Sequence, residues 1–347
     1  MHLDVIRTLP ELKALKEEWN RLLFSSASHV PFLLHEYQVA WWEGMGGGEW
    51  GSGELFVVTG RDNSSELVGI APLFSVSNSD GEVTLMLLGS VEISDYLDLI
   101  APPETLHDFC SALLTFLKQH GPGPGTRLDL YNLIDSSPTL PALKEAAAGL
   151  GWVIVDETLH RCPYIQLPGD WEAYLAGIDK KQRHEIRRKM RRAGEYPLPV
   201  NCYLVEQRIS LDQEIEELFG LMEKDQEKAR FLTPAMRVQL SQIIKLAYDQ
   251  GWLQLAFVEV GGKNAAAYLN FDYDGQIWVY NSGYDPEIRD ISPGWVLLGY
   301  LLKWANENGR TVFDFMRGDE EYKYRFGARD RWVVRVQLRP GPESTQD

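Results

Sequence analysis

Two stretches of the chain follow the same order of predicted elements, and this repeat constrains the fold more than any other feature. Each stretch contains short strands joined by tight turns, then a helix, then a returning strand. In the second half the predicted strands and helix cover residues 252–260, 264–273, 276–282, 293–308 and 311–315. In the first half they cover residues 54–60, 66–76, 83–88, 104–120 and 127–131. This order predicts an α+β fold with two similar domains, each a mixed, mostly antiparallel sheet flanked by helices.

The boundary between the two predicted domains lies near residue 160, where the segment 159–163 interrupts the pattern of strands and helices. A chain of 347 residues is long for one core and sufficient for two. We therefore predict an N-terminal domain over residues 1–160, a C-terminal domain over 161–340, and a short disordered tail over 341–347.

Composition narrows the function classes. The formal net charge of −16 argues against non-specific binding to nucleic acid or to an anionic membrane. No apolar run approaches the roughly 20 residues that span a bilayer, and the first residues lack the pattern of a signal peptide. The three cysteines are widely spaced, without a metal-ligand pattern. The sequence thus predicts a cytoplasmic protein with no membrane insertion, no metal and no nucleophilic triad, and it leaves the oligomeric state undetermined.

The helix predicted from residue 293 begins in a way that suits an anion. Ser292 is the predicted N-cap and Pro293 the first helical residue, so unpaired N–H groups and the positive end of the helix dipole meet at this point. Gly294 would allow a bulky phosphate to approach closely. A well-capped helix without any ligand explains the same pattern.

The surrounding segment, residues 285–298, resembles the pyrophosphate loop of GNAT acyltransferases, in which an Arg/Gln-x-x-Gly-x-Gly/Ala stretch opens a helix. Arg289 would hold the Arg position, and residues 291–294 would form the turn. The chain has Ser292-Pro293 where a glycine is usual, which removes one N–H donor. The resemblance implies an acyl-CoA, acetyl-CoA first, bound by Arg289, Ser292, Gly294 and Trp295, and it implies that the donor site lies in the C-terminal domain.

Two further segments resemble the same superfamily. Residues 314–328 resemble the closing motif of the GNAT-like family of cellulose-biosynthesis (CelD)-like proteins. Within them, Tyr322-Lys323-x-x-Phe326-Gly327 is similar to the Phe-Lys-x-x-Phe-Gly ending of Fem-type aminoacyl-tRNA-dependent transferases, and residues 280–286 look like the strand-end motif of these families. The resemblance covers residues 160–335 and implies two tandem GNAT-like domains.

The closing motif also carries candidate catalytic groups. The strand predicted to end at residue 315 brings Arg317, Asp319 and Glu320 to the rim of the sheet, and a short helix then presents Lys323. Opposite charges at this spacing can orient a nucleophile and relay its proton. A structural cluster of salt bridges is the alternative.

The middle strand of the second meander supplies two more candidates. Asn270 and Asp272 alternate along the strand and so share one face, with Asn270 a candidate for substrate binding. The resemblance makes Asp272 a candidate catalytic base, although a solvent-facing strand residue would look the same. Backbone N–H groups near Tyr280 would hold the developing oxyanion.

One short segment is strongly basic. Residues 179–192 contain eight Lys or Arg in fourteen positions, arranged as a helix with a narrow apolar stripe. Arg183 and Arg187 lie on one cationic ridge and are predicted to bind a phosphorylated or nucleotide-linked acceptor, or an RNA stem such as tRNA. A solvated charged face is the alternative.

In the first half, Asp95-Tyr96-Leu97-Asp98 resembles the Asp-Tyr-x-Asp stretch of the family, which implies that it faces a cleft between the domains. Asp95 and Asp98 are therefore candidate substrate-binding residues. Their spacing on a strand end would not place both on one face, so one is expected to orient the substrate and the other to be structural.

The predicted reaction is direct transfer of an acyl group from acyl-CoA to an amine, without a covalent enzyme intermediate, with Asp272 or Glu320 accepting the amine proton. An aminoacyl-tRNA donor, as in Fem-type enzymes, is the first alternative. A non-catalytic GNAT-like scaffold in polysaccharide biosynthesis is the second.

Overall fold

A computed structural model of the protein describes residues 1–46, 53–77, 82–123, 125–288 and 290–342. These residues form two compact units, one of Met1–His160 with the chain from Trp332 onward, the other of Arg161–Arg331. The predicted domains differ from these units at the C-terminus, because residues 332–340 belong to the first unit. Most of the predicted tail, residues 343–347, lies outside the described residues.

The first unit contains helices and strands from both ends of the chain. Its helices are α1 (Leu9–Ala14), α2 (Lys16–Phe24), α3 (His35–Met45), α4 (Pro103–His120) and α5 (Thr139–Leu150). Its strands are β1 (His2–Ile6), β2 (Glu54–Leu55), β3 (Val57–Arg61), β4 (Leu67–Ala71), β5 (Leu73–Ser77), β6 (Val83–Leu87) and β7 (Arg127–Ile134). Two longer strands, β8 (Trp152–Gln166) and β14 (Arg329–Pro340), begin in one unit and end in the other.

The strands of the first unit form two sheets rather than the single meander predicted from the sequence. Strands β1, β3 and β4 form one sheet, and β2, β5, β6, β7 and β14 follow one another in a second. The predicted strands 54–60 and 66–76 are therefore each divided in two, at Phe56 and at Pro72. Pro72 has no N–H group to donate to a neighbouring strand, which explains the second break. Strand β14 pairs antiparallel with β7, which is why residues 332–340 join this unit.

The second unit contains the remaining elements. Its helices are α6 (Trp171–Gly177), α7 (Lys180–Gly194), α8 (Leu211–Met222), α9 (Gln226–Phe231), α10 (Pro234–Asp249), α11 (Pro293–Glu307) and α12 (Glu321–Arg325). Its strands are β9 (Val200–Leu204), β10 (Leu253–Val260), β11 (Lys263–Tyr273), β12 (Gln276–Tyr284) and β13 (Val312–Asp314). The sheet order is β8-β13-β12-β11-β10-β9.

Helices cover both faces of this second sheet. On one face, Ala256, Val258 and Tyr268 pack in a buried cluster with residues of α6, α7 and α11. Helices α8 and α10 contact the same strands, yet none of their described residues belongs to that cluster. Because strand side chains alternate between faces, α8 and α10 cover the opposite face.

The repeat predicted from the sequence is present as one supersecondary unit in each half. In the first unit, α4 connects the parallel pair β6 and β7, and in the second, α11 connects the parallel pair β12 and β13. Parallel neighbours require such a crossover connection. The repeated helix and returning strand are therefore the crossover and the second strand of a β-α-β unit.

Candidate active site

A cavity of about 630 Å³ lies in the second unit, where two parallel strands part. Strand β12 pairs with β13 only over residues Gln276–Trp278, which lie opposite Val312–Asp314. Strand β12 continues to Tyr284, whereas β13 ends at Asp314, which leaves an opening along the end of β12. Residues of β12, of the first turn of α11, of α9 and of the segment after β13 line the cavity.

The end of β12 is shaped by a glycine and a bulge. A Cβ atom at Gly283 would lie 2.6 Å from backbone atoms of Leu221 and Met222, so glycine alone lets the end of α8 lie against this strand. The pairing of β12 with β11 shifts between Leu269 and Asn270, and Tyr280 is the extra residue. Such bulges bend a strand and are frequent beside active sites. Tyr280 itself does not line the cavity.

The first turn of α11 forms another wall of the cavity. Ser292 is the N-cap, with a positive φ of 54°, and its carbonyl accepts hydrogen bonds from the N–H groups of Trp295 and Val296. Gly294 faces open space, since no described atom lies within 4 Å of a Cβ placed there. Ser292, Gly294 and Trp295 all line the cavity. Arg289, the fourth predicted donor-binding residue, lies outside the described residues.

The basic helix α7 contacts this wall through Lys189, which lies over the ring of Trp295. The Lys189 Nζ atom lies 3.9 Å from the centre of the Trp295 ring, and the centre of the Phe326 ring lies 4.7 Å from the same point. Burial lowers the pKa of Lys189, despite the nearby Glu185 carboxylate. The Trp295 side chain is thus held by a cation–π contact and by aromatic packing.

Glu320 lines the cavity and is fixed by Lys323. The Lys323 ammonium is buried, lies 2.8 Å from a Glu320 carboxylate oxygen, and donates to the Gly318 carbonyl at 2.8 Å. Gly318 has a φ of +111°, and a Cβ there would lie 2.6 Å from Glu320 Oε2. Lys323 does not line the cavity. It holds the Glu320 side chain by the ion pair and the backbone at Gly318 by the hydrogen bond.

Two tyrosines complete this side of the cavity. Tyr268 of β11 and Tyr322 of α12 both line it, and their hydroxyl groups hydrogen-bond to each other. Burial raises the pKa of both hydroxyls, with the negative charge of Glu320 adding to the shift. Both tyrosines are therefore protonated at neutral pH and can donate a hydrogen bond or a proton.

Lys228 of α9 reaches the cavity from the other side. Its ammonium donates to the backbone carbonyl of Ser282 at 2.5 Å and lies 3.2 Å from the Ser282 hydroxyl. Asp225, also at the cavity, caps α9 by accepting from the N–H groups of Glu227 and Lys228. Burial lowers the pKa of Lys228, while Asp225 and Glu320 act in the opposite direction.

Asp285 lies at the end of β12 and borders both this cavity and a second one of about 310 Å³. Its side chain is fully buried, and Lys263 and Lys224 lie 3.1 and 3.3 Å from the same carboxylate oxygen. Burial opposes ionisation, but the N–H group of Glu287 and the two ammonium groups outweigh it and lower the pKa of Asp285.

Several predicted residues of the second unit do not line the cavity. Asp272 is held by Arg310 through two hydrogen bonds of 2.8 and 2.5 Å, and Asn270 donates to Gln254 at 2.8 Å. Asp319 is exposed, 4.0 Å from Arg161. The Arg317 carbonyl accepts from Lys323 at 3.3 Å. Of the predicted catalytic residues, only Glu320 borders the cavity directly.

The predicted phosphate-binding arginines also lie away from the cavity. Arg183 donates to the carbonyl groups of Leu175 and Ala176, at the end of α6. Arg187 pairs with Glu172 on the exposed side of α7. The apolar stripe predicted for this helix is present, because Ile186 and Ala193 are buried.

The two predicted aspartates of the first unit are buried within that unit. Asp98 accepts hydrogen bonds from the hydroxyls of Ser28 and Ser137, the latter at 2.6 Å, and from the Leu99 N–H at 2.7 Å. Burial raises the pKa of Asp98 against these hydrogen bonds. Asp95 is likewise buried.

Most residues of the cavity were not singled out from the sequence as site residues, among them Tyr268, Tyr322, Lys228 and Asp225. The alternation that selects Asn270 and Asp272 leads, one step back along β11, to Tyr268. Tyr322 stands inside the closing motif. Lys228 and Asp225 belong to the segment 205–250, whose helices carry no motif that would mark these positions.

The described residues were also searched for metal sites and for membrane-spanning helices. Within those ranges, no group of three or more His, Cys, Asp or Glu could hold a metal ion. Across the same part of the chain, no helix combines the length and the apolar character needed to cross a membrane.

Comparison with known proteins agrees with this architecture. Residues 180–324 match the family model of an acetyltransferase (GNAT) domain. No curated protein matches the sequence. Among solved structures, FemX is similar with a TM-score of 0.64 and 13% identity, over 96% of this chain and 97% of that one.

Two more structures are similar over nearly their whole length. L-PGS from Bacillus licheniformis has a TM-score of 0.53 and 11% identity, over 95% of this chain and 93% of that one. A tandem GNAT protein from the clavulanic acid biosynthesis pathway has a TM-score of 0.50 and 14% identity, over 99% of this chain and 100% of that one. At these identities the likeness shows the fold.

The predicted fold class is therefore confirmed: the chain has a tandem GNAT-like fold, with mostly antiparallel strands flanked by helices. The match over residues 180–324 supports an acetyltransferase (GNAT) domain in this part of the chain.

Proposed function

We propose that the second unit transfers an acyl group from acyl-CoA to an amine in the cavity at the end of β12. The observation that carries the proposal is the meeting of two features at one opening between parallel strands. The first turn of α11 supplies the positive end of a helix, and Glu320 supplies a carboxylate on the wall of the same cavity. Acetyl-CoA is the donor that we propose first.

The donor would bind with its phosphates at the start of α11. Gly294 offers space for a phosphate, and the helix dipole favours its negative charge. Arg289 is the further cation that the sequence predicts for this group. The acyl end would then extend along the open edge of β12, towards Glu320.

The chemistry needs one base and one acid. Glu320 would take a proton as the amine nitrogen attacks the thioester carbonyl, which forms the C–N bond. When the C–S bond breaks, the departing thiolate would take a proton from Tyr322 or Tyr268, whose raised pKa values keep them protonated. The products are an amide and free CoA. Lys323 would position Glu320 through the ion pair of 2.8 Å, and Asp272, bound to Arg310, is given no role in this step.

A second candidate donor is an aminoacyl-tRNA, and one observation favours it. Lys180, Lys181, Arg191 and Arg192 are exposed on α7 and form no ion pair within the described residues. Such a run of unpaired cations attracts the phosphates of a nucleic acid even in an acidic protein. The resemblance of the closing motif, residues 314–328, also favours this alternative donor. The same resemblance is the basis for proposing that the chain is related to the cellulose-biosynthesis-like family.

The test compares the two donors directly. A ligand present at 100 times its Kd stabilises a protein by about 2.7 kcal/mol, which is visible as a rise in Tm. We expect a rise with acetyl-CoA, and consumption of the thioester when amines are added. Gly294→Glu should abolish the rise by placing a carboxylate at the phosphate site, while Gly294→Ala, which meets no neighbouring atom, should retain it.

Two other outcomes would contradict the proposal. A rise with aminoacyl-tRNA and none with acetyl-CoA would replace the proposed donor by the second one. If neither donor raises Tm and no acyl group is transferred, the proposal fails and a non-catalytic scaffold becomes the better account.

A further inference from the structure

Lys228 differs from the other lysines beside the cavity. Lys323 pairs with Glu320, and Lys224 and Lys263 both pair with Asp285. For Lys228, no carboxylate of the described residues lies within ion-pair distance, and its hydrogen bonds go to the carbonyl and the hydroxyl of Ser282. A partly buried ammonium at the wall of a cavity, with no carboxylate within ion-pair distance, can accept an anionic group of a ligand as its partner.

The position of Lys228 separates it from the proposed donor site. The donor phosphates would lie at the first turn of α11, which packs on one face of the sheet. Lys228 belongs to α9, next to α8, which covers the opposite face and reaches the end of β12 at Gly283. A donor bound at α11 thus approaches the opening from one face, and the molecule that meets Lys228 approaches from the other.

We propose that Lys228 binds a carboxylate of the acceptor, so that the acceptor is an amino acid or another amine that also carries a carboxylate. This inference rests on the proposed function and deepens it. Lys228 would hold the carboxylate while Glu320, close enough to Lys228 to influence its ionisation, takes the proton from the amine. The positive Lys228 and the negative Glu320 at one cavity complement the carboxylate and the amino group of such an acceptor, whose amino group attacks in its neutral form.

A carboxylate fits this site better than a phosphate. A phosphate is usually bound by several donors or by the fork of an arginine, whereas Lys228 is a single point charge. Asp225 stands beside it and would repel a dianion more than a monoanion. The backbone carbonyl of Ser282, which Lys228 already contacts, has no proton to donate to either anion.

A purely structural role would also explain the contacts with Ser282, because Lys228 could simply hold the end of β12. The two roles make different predictions about acceptors. A structural lysine affects all acceptors alike, whereas a carboxylate-binding lysine affects only the acceptors that carry a carboxylate.

The test uses acetyl-CoA with the twenty common L-amino acids and with the amines that result from removing the α-carboxylate, such as ethanolamine for L-serine and phenethylamine for L-phenylalanine. We expect the wild-type protein to acetylate at least one amino acid in preference to its amine. Lys228→Met should raise KM for that amino acid about 10- to 100-fold, as loss of a charged hydrogen-bond partner does. For the matched amine, kcat/KM should change less than about 3-fold.

Two variants serve as controls. Lys228→Arg retains the positive charge and should recover part of the affinity for the amino acid. Arg230→Met removes a cation from the exposed side of the same helix, away from the cavity, and should leave both substrates unaffected.

Three results would overturn the inference: no preference for the amino acid, an equal loss for both substrates in Lys228→Met, or a preference for O-phosphoethanolamine. Failure of the proposed function is a separate result, namely no acetyl transfer to any amine. In that case calorimetry decides, because binding of an amino acid that Lys228→Met abolishes still supports the carboxylate site, and absence of binding overturns it.

Discussion

The two units contain the same β-α-β arrangement, but they differ in what occupies the space beside the end of the longer parallel strand. In the first unit, β6 ends at Leu87 while β7 continues to Ile134, and the protein fills the space itself. The Asn132 side chain of β7 donates to the carbonyl groups of Val91 and Ser94, both at 2.9 Å. In the second unit it is the first strand of the pair, β12, that continues, and the space along it is the cavity.

The connections into the crossover helices explain the difference. In the first unit the connection covers residues 88–102, and residues 93–100 are all buried. In the second unit the connection covers only residues 285–292 before α11 begins. In the first unit the chain itself fills the opening, whereas in the second the opening remains as the cavity in which we propose that the donor binds.

Two buried aspartates, Asp98 in the first unit and Asp285 in the second, lie in contrasting surroundings. Asp98 is surrounded by hydroxyl groups and, over the described residues, has no Lys or Arg within ion-pair distance. Asp285 is held by two ammonium groups. The pKa is raised for Asp98 and lowered for Asp285, so the same residue type depends on pH in opposite ways in the two units.

The largest effect should follow from Glu320, since we assign the proposed chemistry to the open unit. Glu320→Gln keeps the size of the side chain and removes the base, and kcat should fall about 10²- to 10⁴-fold. The neighbouring Glu321, which pairs with Arg325 and does not line the cavity, provides the matched control. Glu321→Gln should leave kcat unchanged. An active Glu320→Gln variant would remove Glu320 from the reaction.

The next effect concerns the wall of the open unit. Gly283→Ala places a methyl group against the backbone of α8, so the free energy of unfolding should fall by about 3 kcal/mol. Gly294→Ala meets no neighbouring atom and should change it by less than about 0.5 kcal/mol. Urea unfolding of both variants measures the difference. Equal costs would show that the end of β12 does not depend on this close packing.

A smaller effect is expected where the first unit fills its own opening. Asn132→Gly leaves two buried carbonyl groups without their donor and should cost about 1–3 kcal/mol. Asn132 has a φ of +63°, so Asn132→Ala should cost roughly 1 kcal/mol more than the glycine variant. Asn63→Gly, in an exposed turn, is the control. If Asn132→Gly were neutral in urea unfolding, this side chain would not hold the connection in place.

The smallest effect is a difference in pH dependence. A raised pKa in the folded protein means that the stability contributed by Asp98 is complete below its ordinary pKa of 3.8 and is lost as the pH rises through the folded value. The wild-type protein should therefore lose stability relative to Asp98→Asn as the pH rises above 4.

Asp285 should show the opposite sign. Its lowered pKa means that its contribution is complete above 3.8 and is lost as the pH falls through the folded value. The wild-type protein should lose stability relative to Asp285→Asn as the pH falls below 4. Unfolding midpoints at a series of pH values measure both slopes, and slopes of the same sign would contradict the contrast between the two aspartates.

Local patterns in the sequence predicted the elements on which the site is built. Pro293 marks the start of α11 because a first-turn proline depends on neighbouring residues alone, although Ser292 occupies the N-cap position without a side-chain hydrogen bond. The stripe of Ile186 and Ala193 follows from helical periodicity in the same way. The placement of Glu320 beside the cavity follows from a motif in which strand, loop and short helix are consecutive.

The sequence therefore determined the crossover helix and returning strand of each half and, through its resemblance to a known family, indicated the tandem GNAT-like fold. Only the tertiary structure decided that residues 332–340 return to the first unit, that Asp272 is held by Arg310, and that Lys228 reaches Ser282 across 54 positions of sequence. The physical reason is the range of the interactions. Caps, turns and periodicity act between residues a few positions apart, whereas strand pairing, burial and the partner of a charge are set by residues that meet only when the chain has folded.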